Sequence, residues 1–289
     1  MSDAPDVHRS GFVAVVGRPN AGKSTLINQM LGQKVSIVSD KPQTTRHRVL
    51  GVLHRGDAQA VLVDTPGLHK PVTALGEKLN ATAHESLSDV DVVLVVIDAT
   101  KPVGRGDRWV LERTPSDAIV VLNKVDAASP ELIARQLAAL AEEDRAAYFP
   151  VSARRGDGVD ELIEHVLAQL PEGPAYFPPG DITDMPEPAF VAELVREQLL
   201  GVLREELPYS VATRVAVWDW PHVKVEILVE RESQKGMVIG KGGSVLKQVG
   251  TKVREQLAEG AYLELQVKVL KDWQQRPELV DRALDLGGE

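Results

Sequence analysis

The residues Gly17-Arg18-Pro19-Asn20-Ala21-Gly22-Lys23-Ser24 match the pattern GxxxxGK[ST] close to the start of the chain. An apolar run at 12–16 precedes them, and a segment with helical character at 25–31 follows them. In that strand–loop–helix setting the glycines let backbone N–H groups surround phosphates, and the helix N-terminus favours the phosphate charge. The motif therefore predicts a phosphate-binding loop in which Lys23 reaches the terminal phosphates and Ser24 is a Mg2+ ligand.

Short apolar runs alternate with helical segments from this loop to residue 170. The runs are rich in β-branched residues and bounded by Gly, Pro, Asp or Asn, as expected for buried strands. They lie at 12–16, 49–55, 60–63, 92–97, 119–122 and 148–151, and amphipathic segments lie at 130–143 and 158–170. This alternation predicts an α/β P-loop domain, with a mostly parallel sheet and helices on both faces.

Two further segments are expected beside the phosphates. Asp64-Thr65-Pro66-Gly67 follows the run at 60–63, so that Asp64 would hold Mg2+ through water and the Gly67 N–H would face the γ-phosphate. The polar tract 39–47 has no periodicity and suits a segment that the γ-phosphate and Mg2+ order; Thr45, or alternatively Thr44, would supply a second hydroxyl ligand. An ordinary turn and a solvated loop are the alternative explanations of these segments in isolation, but their position after a phosphate loop favours function.

The motif Asn123-Lys124-Val125-Asp126 decides which base is bound. The Asp126 carboxylate accepts from both N1–H and the exocyclic amine of guanine, a pair of donors that adenine lacks. Asn123 would brace the loop, and the stem of Lys124 would cover one face of the base. Ser152-Ala153-Arg154, after the last strand, would support guanine through backbone N–H groups. The domain is therefore predicted to bind GTP and GDP and to hydrolyse GTP.

The composition agrees with a globular protein of the cytoplasm. Of 289 residues, 43% are hydrophobic and 26% are charged, and no stretch approaches the roughly 20 apolar residues of a membrane-spanning helix. The absence of cysteine excludes disulfides and thiolate chemistry and suits a reducing compartment. The net charge of -9 argues against non-specific binding of nucleic acid over the whole surface, although a local basic site remains compatible with it.

A cluster of prolines divides the chain into two domains. The prolines exclude a continuous helix and predict an extended linker; they are Pro171, Pro174, Pro178, Pro179, Pro186 and Pro188. After them come a helical pattern at 189–206, strand patterns at 211–218 and 223–229, a helix at 244–257 and a strand at 262–270. We expect a G domain at 8–172, a linker at 173–188, a smaller α+β domain at 189–275 and a tail at 276–289.

The second domain contains Val238-Ile239-Gly240-Lys241-Gly242-Gly243, an apolar pair followed by Gly-x-x-Gly. KH modules use such a loop to bring the backbone close to four single-stranded nucleotides. A lone Gly-x-x-Gly is also an ordinary turn between helices, but the order of elements matches a type II KH domain. The candidate RNA-binding residues are Lys235, Ile239, Gly240, Lys241, Gly242, Gly243 and Lys247.

A local excess of basic residues supports that interpretation. Between Arg231 and Arg254 there are six basic residues, against two acidic ones if the adjoining Glu255 is counted with Glu232. Such an excess attracts phosphates. A solvated helix face explains the part that includes Lys247 and Lys252 nearly as well.

Four parts of the chain together resemble the Era family of GTPases. They are the phosphate loop with Thr25, the tract 41–48, the run from Asp64 to Leu68 and His69, and the carboxy-terminal half. The resemblance covers nearly the whole chain and implies one G domain followed by a type II KH domain. The positions that it assigns to the nucleotide are Gly17, Arg18, Pro19, Asn20, Ala21, Gly22, Lys23, Ser24, Thr25, Asp64, Thr65, Pro66, Gly67, Leu68, Asn123, Lys124, Asp126, Ser152, Ala153 and Arg154.

The resemblance also implies partners. These are the single-stranded 3′ end of 16S ribosomal RNA, the 30S ribosomal subunit during its assembly, and the inner face of the cell membrane. The helix pattern at 189–206 gives little support to the membrane, because its polar face is acidic rather than basic. We expect the chain to act as a monomer.

Two positions bear on the rate of hydrolysis. Ras-like GTPases orient the attacking water with a Gln just after the Asp-x-x-Gly turn, where this chain has Leu68. Asn20 matches the residue that helps bind an activating K+ in relatives of the family. With Lys23 and Thr45 as the other catalytic candidates, we expect slow hydrolysis that K+ or a bound partner accelerates.

Two other functions remain compatible with the sequence. One is an RNA-binding regulator of other transcripts for which GTP is only a conformational ligand, and the other is a membrane-associated signalling GTPase. A relative with tandem G domains is excluded because the chain has one phosphate loop. A tRNA-modifying relative is disfavoured because the G domain opens the chain and the cysteine characteristic of that group is absent.

Overall fold

The computed structural model of the chain describes residues 8–67, 73–85 and 89–284. The chain forms two compact units. The described residues of unit 1 lie within 8–36, 45–67 and 79–184, and those of unit 2 within 37–44, 73–78 and 185–284. Within these residues, no helix has the length and apolar character needed to cross a membrane.

Unit 1 is built on a six-stranded sheet with the strand order β2-β3-β1-β4-β5-β6. Only β2 runs antiparallel to its neighbour, so the predicted mostly parallel sheet is confirmed. The strands are β1 (Arg9–Gly17), β2 (Val49–Arg55), β3 (Ala58–Asp64), β4 (Val92–Asp98), β5 (Ile119–Asn123) and β6 (Ala147–Val151).

Five helices lie in this part of the chain as far as the structure describes it. They are α1 (Lys23–Leu31), α2 (Ala74–Glu85), α3 (Arg105–Leu111), α4 (Pro130–Ala141) and α5 (Val159–Gln169). The first turns of α2 belong to the residues assigned to unit 2. One hydrophobic core lies between the sheet and α1 with α5, and a second lies on the opposite face, where α3 and α4 pack. Because both faces of the central strands are covered, β4 and β5 are apolar at nearly every position rather than at alternate ones.

The carboxyl ends of the parallel strands place the functional motifs at one edge of the sheet. Gly17, Asp64, Asp98 and Asn123 end β1, β3, β4 and β5 respectively. The β4–β5 register sets Asp98 opposite Asn123. Ligands bind at this edge in open α/β sheets, so the topology brings the predicted nucleotide residues together.

The proline-rich segment after α5 lies along unit 1 as far as Asp184. The side chain of Gln59 accepts from the backbone N–H of Tyr176 at 2.7 Å and donates to the carbonyl of Phe177 at 2.8 Å. The Val52 N–H donates to the carbonyl of Ile182 at 2.9 Å. With so many prolines, this segment cannot form a helix in which its backbone N–H and C=O groups would be hydrogen-bonded. These groups form hydrogen bonds with the sheet of unit 1 instead.

Unit 2 contains a three-stranded sheet with the order β7-β8-β9, in which β8 and β9 are parallel and β7 is antiparallel to β8. The helices α6 and α9 pack on one face of it around a separate hydrophobic core. Its elements are α6 (Glu187–Val202), α7 (Leu207–Ser210), β7 (Ala212–Asp219), β8 (His222–Val229), α8 (Glu232–Ile239), α9 (Ser244–Arg254), β9 (Tyr262–Val269) and α10 (Pro277–Leu284).

Unit 2 differs from the sequence prediction at several helices, among them α7 and α10, which were not predicted. The helix expected at 189–206 begins at Glu187 and ends at Val202. Proline is tolerated in the first turn, where its missing N–H has no helical partner, so Pro188 lies inside the helix rather than in the linker. The helix α8 was not predicted; it comes directly before Gly240 and leads into the Gly-x-x-Gly loop.

Candidate functional site

The phosphate loop joins β1 to α1 and has the backbone shape that its glycines require. Gly22 has φ 96°, and a Cβ built on it would lie 2.3 Å from Nδ2 of Asn123. Only glycine combines this left-handed conformation with so close an approach. The helix α1 begins at the next residue, so its free N–H groups open toward the loop, where phosphates are favoured.

Two buried and oppositely charged groups lie beneath the loop. The ammonium of Lys23 donates to the carbonyl oxygens of Gly17 and Arg18, both at 3.3 Å. Burial lowers the pKa of Lys23 to about 8, against the opposing charge of Asp64. Burial also raises the pKa of Asp64 above its usual value, although the Lys23 charge lowers it. An anion received beside Lys23 would stabilise the charged ammonium, which is the arrangement expected of a phosphate site.

The oxygen atoms expected to hold Mg2+ converge below the loop. Ser24 Oγ lies 3.0 Å from Thr45 Oγ1, and Thr45 Oγ1 lies 3.4 Å from Asp64 Oδ2. The other carboxylate oxygen, Asp64 Oδ1, is buried and accepts no hydrogen bond within the described residues. The hydroxyls of Ser24 and Ser36 lie near enough to lower the pKa of the Asp64 carboxyl, but neither meets hydrogen-bond geometry with Oδ1. A hard cation that prefers oxygen ligands fits this set of donors.

The two threonines offered as alternatives occupy different places. Thr45 lies in unit 1 beside Ser24, as described above. Thr44 lies in the part of the chain assigned to unit 2, and its hydroxyl donates to the carbonyl of Lys41 at 2.6 Å. The geometry therefore favours Thr45 as the second hydroxyl ligand.

Asn123 links the phosphate loop to both base-binding loops. Its Nδ2 donates to the carbonyl of Ala21 at 2.9 Å, while Oδ1 accepts from the N–H groups of Lys124 and Ala153 at 2.7 and 2.9 Å. The Ser152 hydroxyl donates to Asp126 Oδ1 at 2.7 Å. This bond orients an exposed carboxylate, so that Asp126 is presented as the acceptor pair that guanine requires.

Lys124 makes contacts that sequence reasoning did not anticipate. Its ammonium donates to the carbonyl of Asn20 at 2.6 Å and to Asp98 Oδ2 at 2.7 Å. Asp98 had no place among the predicted site residues because a single acidic residue at a strand end forms no motif. The available signal was its position at the carboxyl end of an apolar run, the same edge as Asp64 and Asn123.

The remaining predicted residues surround this centre. Arg18 is half exposed and pairs with Asp107 of α3 at 3.3 Å. Thr65 is buried and donates from Oγ1 to the carbonyl of Val15 at 2.9 Å. A Cβ on Gly67 would lie 2.9 Å from the backbone nitrogen of Pro19, so the turn after β3 lies against the phosphate loop. Thr25 lies in the first turn of α1, Pro66 is buried and Arg154 is exposed, whereas Leu68 falls outside the described residues.

The predicted RNA loop forms a tight turn between α8 and α9. Gly240, Gly242 and Gly243 all have positive φ, at 76°, 60° and 78°. A Cβ on Gly240 would lie 2.8 Å from the backbone nitrogen of Val245, whereas Gly242 and Gly243 face open space. The outer part of the loop is therefore accessible to a ligand that approaches the backbone closely.

Basic and apolar side chains flank that loop. Lys241 and Lys247 are exposed and Lys235 is partly buried, and no ion pair involves any of the three within the described residues. Ile239 is partly buried, while Met237 is 51% exposed on the last turns of α8. Met237 was not predicted, and it offers an apolar contact to an unstacked base beside the phosphate-binding backbone.

Comparisons with known proteins agree with both halves of this description. A family model described as 50S ribosome-binding GTPase matches residues 12–124, and a KH domain model matches residues 206–274. Proteins called GTPase Era are similar over almost the full length. The one from Mycobacterium tuberculosis is 46% identical over 94% of this chain and 97% of its own, and the one from Heliobacterium modesticaldum is 45% identical over 94% and 95%.

Two solved structures are similar to the whole chain. Era in complex with MgGDPNP and nucleotides 1506–1542 of 16S ribosomal RNA is 38% identical, with a TM-score of 0.91 over 96% of this chain and 98% of that one. A variant of Era from Aquifex aeolicus bound to GDP.AlF4- is 38% identical, with a TM-score of 0.88 over 95% and 98%.

Proposed function

The chain belongs to the Era family of GTPases, and we propose that it is a GTP-hydrolysing switch that binds the 3′ end of 16S ribosomal RNA through its KH domain during assembly of the 30S subunit. The observation that carries the proposal is the presence, in one chain, of a complete guanine site and an open Gly-x-x-Gly loop flanked by basic residues. The solved relative that is bound to MgGDPNP and to this part of the ribosomal RNA supports it.

In the proposed reaction the chain binds and orients GTP. Backbone N–H groups of the phosphate loop and the Lys23 ammonium would hold the β- and γ-phosphates, and Asp126 would hold guanine. When bound, Mg2+ neutralises charge on the phosphate oxygens, and Ser24, Thr45 and Asp64 are the residues that would hold it. The relatives bound to MgGDPNP and GDP.AlF4- support these cofactors.

Hydrolysis is proposed to be slow in the isolated chain. A leucine at position 68 can neither donate nor accept a hydrogen bond, so it cannot orient the attacking water. Asn20 stands in the phosphate loop with φ 65° and would help hold a K+ ion that supplies positive charge to the transition state. Equal turnover in Na+ and K+ buffers would contradict this part of the proposal.

The RNA is proposed to pass over the loop between α8 and α9. The backbone at Gly242 and Gly243 would approach the phosphates, with Lys241, Lys235 and Lys247 attracting their charge. We place the protein in the cytoplasm as a monomer. Peripheral contact with the inner face of the membrane is a property suggested by the family alone, and co-sedimentation with anionic liposomes tests it.

A matched pair of variants tests the RNA assignment. We expect Lys241→Glu to weaken binding of a labelled single-stranded RNA with the sequence of the 16S 3′ end by about tenfold or more, because a phosphate contact becomes a repulsion. Lys271→Glu makes the same charge change at an exposed residue outside the loop and should have a much smaller effect. Binding of labelled GDP should be unchanged in both variants.

The identity of the RNA needs a separate experiment. The full-length protein held with a non-hydrolysable GTP analogue is crosslinked in cells, and the attached RNA is sequenced. We expect fragments from the 3′ end of 16S ribosomal RNA. Recovery of other transcripts in its place would favour the alternative of a regulator that acts on those transcripts.

A further inference from the structure

Asp98 is the last residue of β4, and both of its carboxylate oxygens are used. Oδ2 accepts from the Lys124 ammonium at 2.7 Å. Oδ1 accepts from the backbone N–H of Thr100 at 2.9 Å and from its hydroxyl at 2.6 Å. The side chain is 16% exposed, so it is shielded from water on most sides. The carboxylate is therefore fixed in orientation, with one oxygen committed to Lys124.

Lys124 connects the base-binding motif to the phosphate loop. Its backbone has φ 68°, and its ammonium also donates to the carbonyl of Asn20, which has φ 65°. Left-handed conformations at residues other than glycine persist only where the surroundings hold them. The ammonium contacts Asp98 and Asn20 together, so that the side-chain stem is stretched between the two loops.

We propose that Asp98 is a positioning residue for guanine nucleotides, which acts through Lys124. The inference rests on the proposed function of the chain as a GTPase. Among the described residues, the ammonium without the carboxylate keeps only the neutral carbonyl of Asn20 as its partner, and water competes for it. The stem then leaves the face of the base, and the carbonyl of Asn20 loses the donor that fixes the phosphate loop. Both bonds have a charged donor, but only the one to Asp98 joins two opposite charges, which makes Asp98 the dominant anchor.

The alternative role for Asp98 is purely structural. Its bonds to Thr100 also close the turn after β4, and such turns stabilise a fold without affecting a ligand. The pKa of Asp98 reflects both partners: burial raises it, but the hydrogen bonds from Lys124 and Thr100 outweigh burial and hold it below its usual value. Variants that remove the bond to Lys124 and the bond to Thr100 separately therefore distinguish the positioning role from the structural role.

The test measures the release of N-methylanthraniloyl-GDP from the full chain after addition of excess unlabelled GDP. We expect Asp98→Ala to release the nucleotide about 10- to 100-fold faster, the effect typical of removing a hydrogen bond between charged groups.

Two further variants decide between positioning and turn closure. Asp98→Asn keeps one oxygen that accepts from Thr100 but presents an amide donor to the Lys124 ammonium, so release should approach that of Asp98→Ala. Thr100→Val removes the hydroxyl bond but leaves the ion pair, so release should stay near that of the unchanged protein. Release at the unchanged rate from Asp98→Asn, in protein that melts at a lower temperature, would establish the structural role and overturn the inference.

The controls separate this inference from the proposed function. Glu143→Gln removes a carboxylate that is 19% exposed and pairs with Arg108, which is not a predicted nucleotide residue, and should not alter release. If the unchanged protein fails to bind the labelled GDP, the proposed function is wrong. If it binds and Asp98→Ala releases at the same rate, only the positioning role is wrong.

Discussion

In the proposed site, recognition of guanine depends on the Asp126 carboxylate, whose hydrogen-bonding chemistry can be inverted. Asp126→Asn replaces an acceptor oxygen by an amide donor, so the exocyclic amine of guanine meets a donor instead of an acceptor. Xanthine has a carbonyl in place of that amine and becomes the better partner. We expect affinity for GDP to fall by at least about 100-fold while xanthosine diphosphate binds more tightly than GDP. Competition against a labelled nucleotide measures both.

The control for this prediction is Asp157→Asn. Asp157 is exposed and pairs with Arg155 at 3.2 Å, in the same loop region but outside the motif. Its substitution should leave the preference for guanine intact. An Asp126→Asn variant that still prefers GDP to xanthosine diphosphate would show that another group reads the base.

Sequence spacing predicts the residues that belong to motifs but not the residues that support them. Asp126, Asn123 and Lys23 are defined by near neighbours in the chain, so a short pattern identifies them. Asp98 acts on Lys124 from another strand, and only the β4–β5 register places the two strand ends side by side. The choice between Thr44 and Thr45 likewise needed coordinates, because consecutive side chains in an irregular segment point in unrelated directions.

At the scale of elements, helix α1 has a left-handed glycine at each end, and the two provide a matched comparison. Gly22 has φ 96° and Gly32 has φ 69°. An alanine at either position is strained by about 1 kcal/mol. Only the Cβ at Gly22 meets a neighbour, Nδ2 of Asn123, because nothing lies within 4 Å of the one at Gly32.

We therefore expect Gly22→Ala to displace Asn123 and to weaken binding of GDP by more than about tenfold. Gly32→Ala should lower the free energy of unfolding slightly and leave affinity for GDP unchanged. Titration calorimetry with GDP and urea unfolding of both variants provide the data. Equal losses of affinity would mean that strain in α1, rather than displacement of Asn123, controls the site.

A buried carboxylate in the second sheet gives a pH dependence. Glu226 on β8 is 6% exposed and accepts from Arg214 at 2.8 Å and from Lys268 at 2.5 Å. Burial raises its pKa, but the hydrogen bonds and charges of Lys268 and Arg214 outweigh burial and hold the pKa below its usual value of 4.5. The folded form thus favours the ionised group, and this stabilisation is present above the usual pKa and is lost as pH falls through the folded one.

We expect Glu226→Gln to lower the free energy of unfolding by about 1–3 kcal/mol at pH 7. The difference from the unchanged protein should shrink as pH is lowered through the folded pKa. Glu264→Gln is the control, because Glu264 is 52% exposed, pairs with Lys224 and should have an effect below about 1 kcal/mol. If the loss of unfolding free energy caused by Glu226→Gln stays constant from pH 7 to acidic pH, it comes from lost packing instead of lost charge.

The elements that sequence patterns predicted least well are short. The helix α8 has eight residues and buries only Gln234 and Val238, so apolar periodicity hardly marks it. Long apolar runs such as β4 were predicted readily because burial on both faces leaves few polar positions in them. The start of α6 was misplaced because proline was treated as a boundary, although its first turn accommodates Pro188.

For the whole molecule, the distribution of charge matters more than its sum. The chain has a net charge of -9, yet residues 189–275 contain twelve basic and twelve acidic residues, which cancel. The negative excess therefore lies outside the predicted KH domain. Within that domain the basic residues Lys235, Lys241 and Lys247 flank the loop between α8 and α9. Phosphates would thus be attracted at one place on an otherwise neutral or acidic molecule.

This distribution predicts a shallow dependence of RNA binding on salt. Single strands release counterions with a slope of about -0.7 per phosphate contact, so three to five contacts give a slope of about -2 to -3.5 in a plot of log affinity against log salt. Lys241→Met should make the slope less negative by about 0.7, whereas Lys271→Met should leave it unchanged. Fluorescence anisotropy of labelled RNA, recorded from low to moderate salt, measures this slope. A much steeper slope, or one that Lys241→Met does not alter, would mean that the RNA contacts basic residues well beyond this loop.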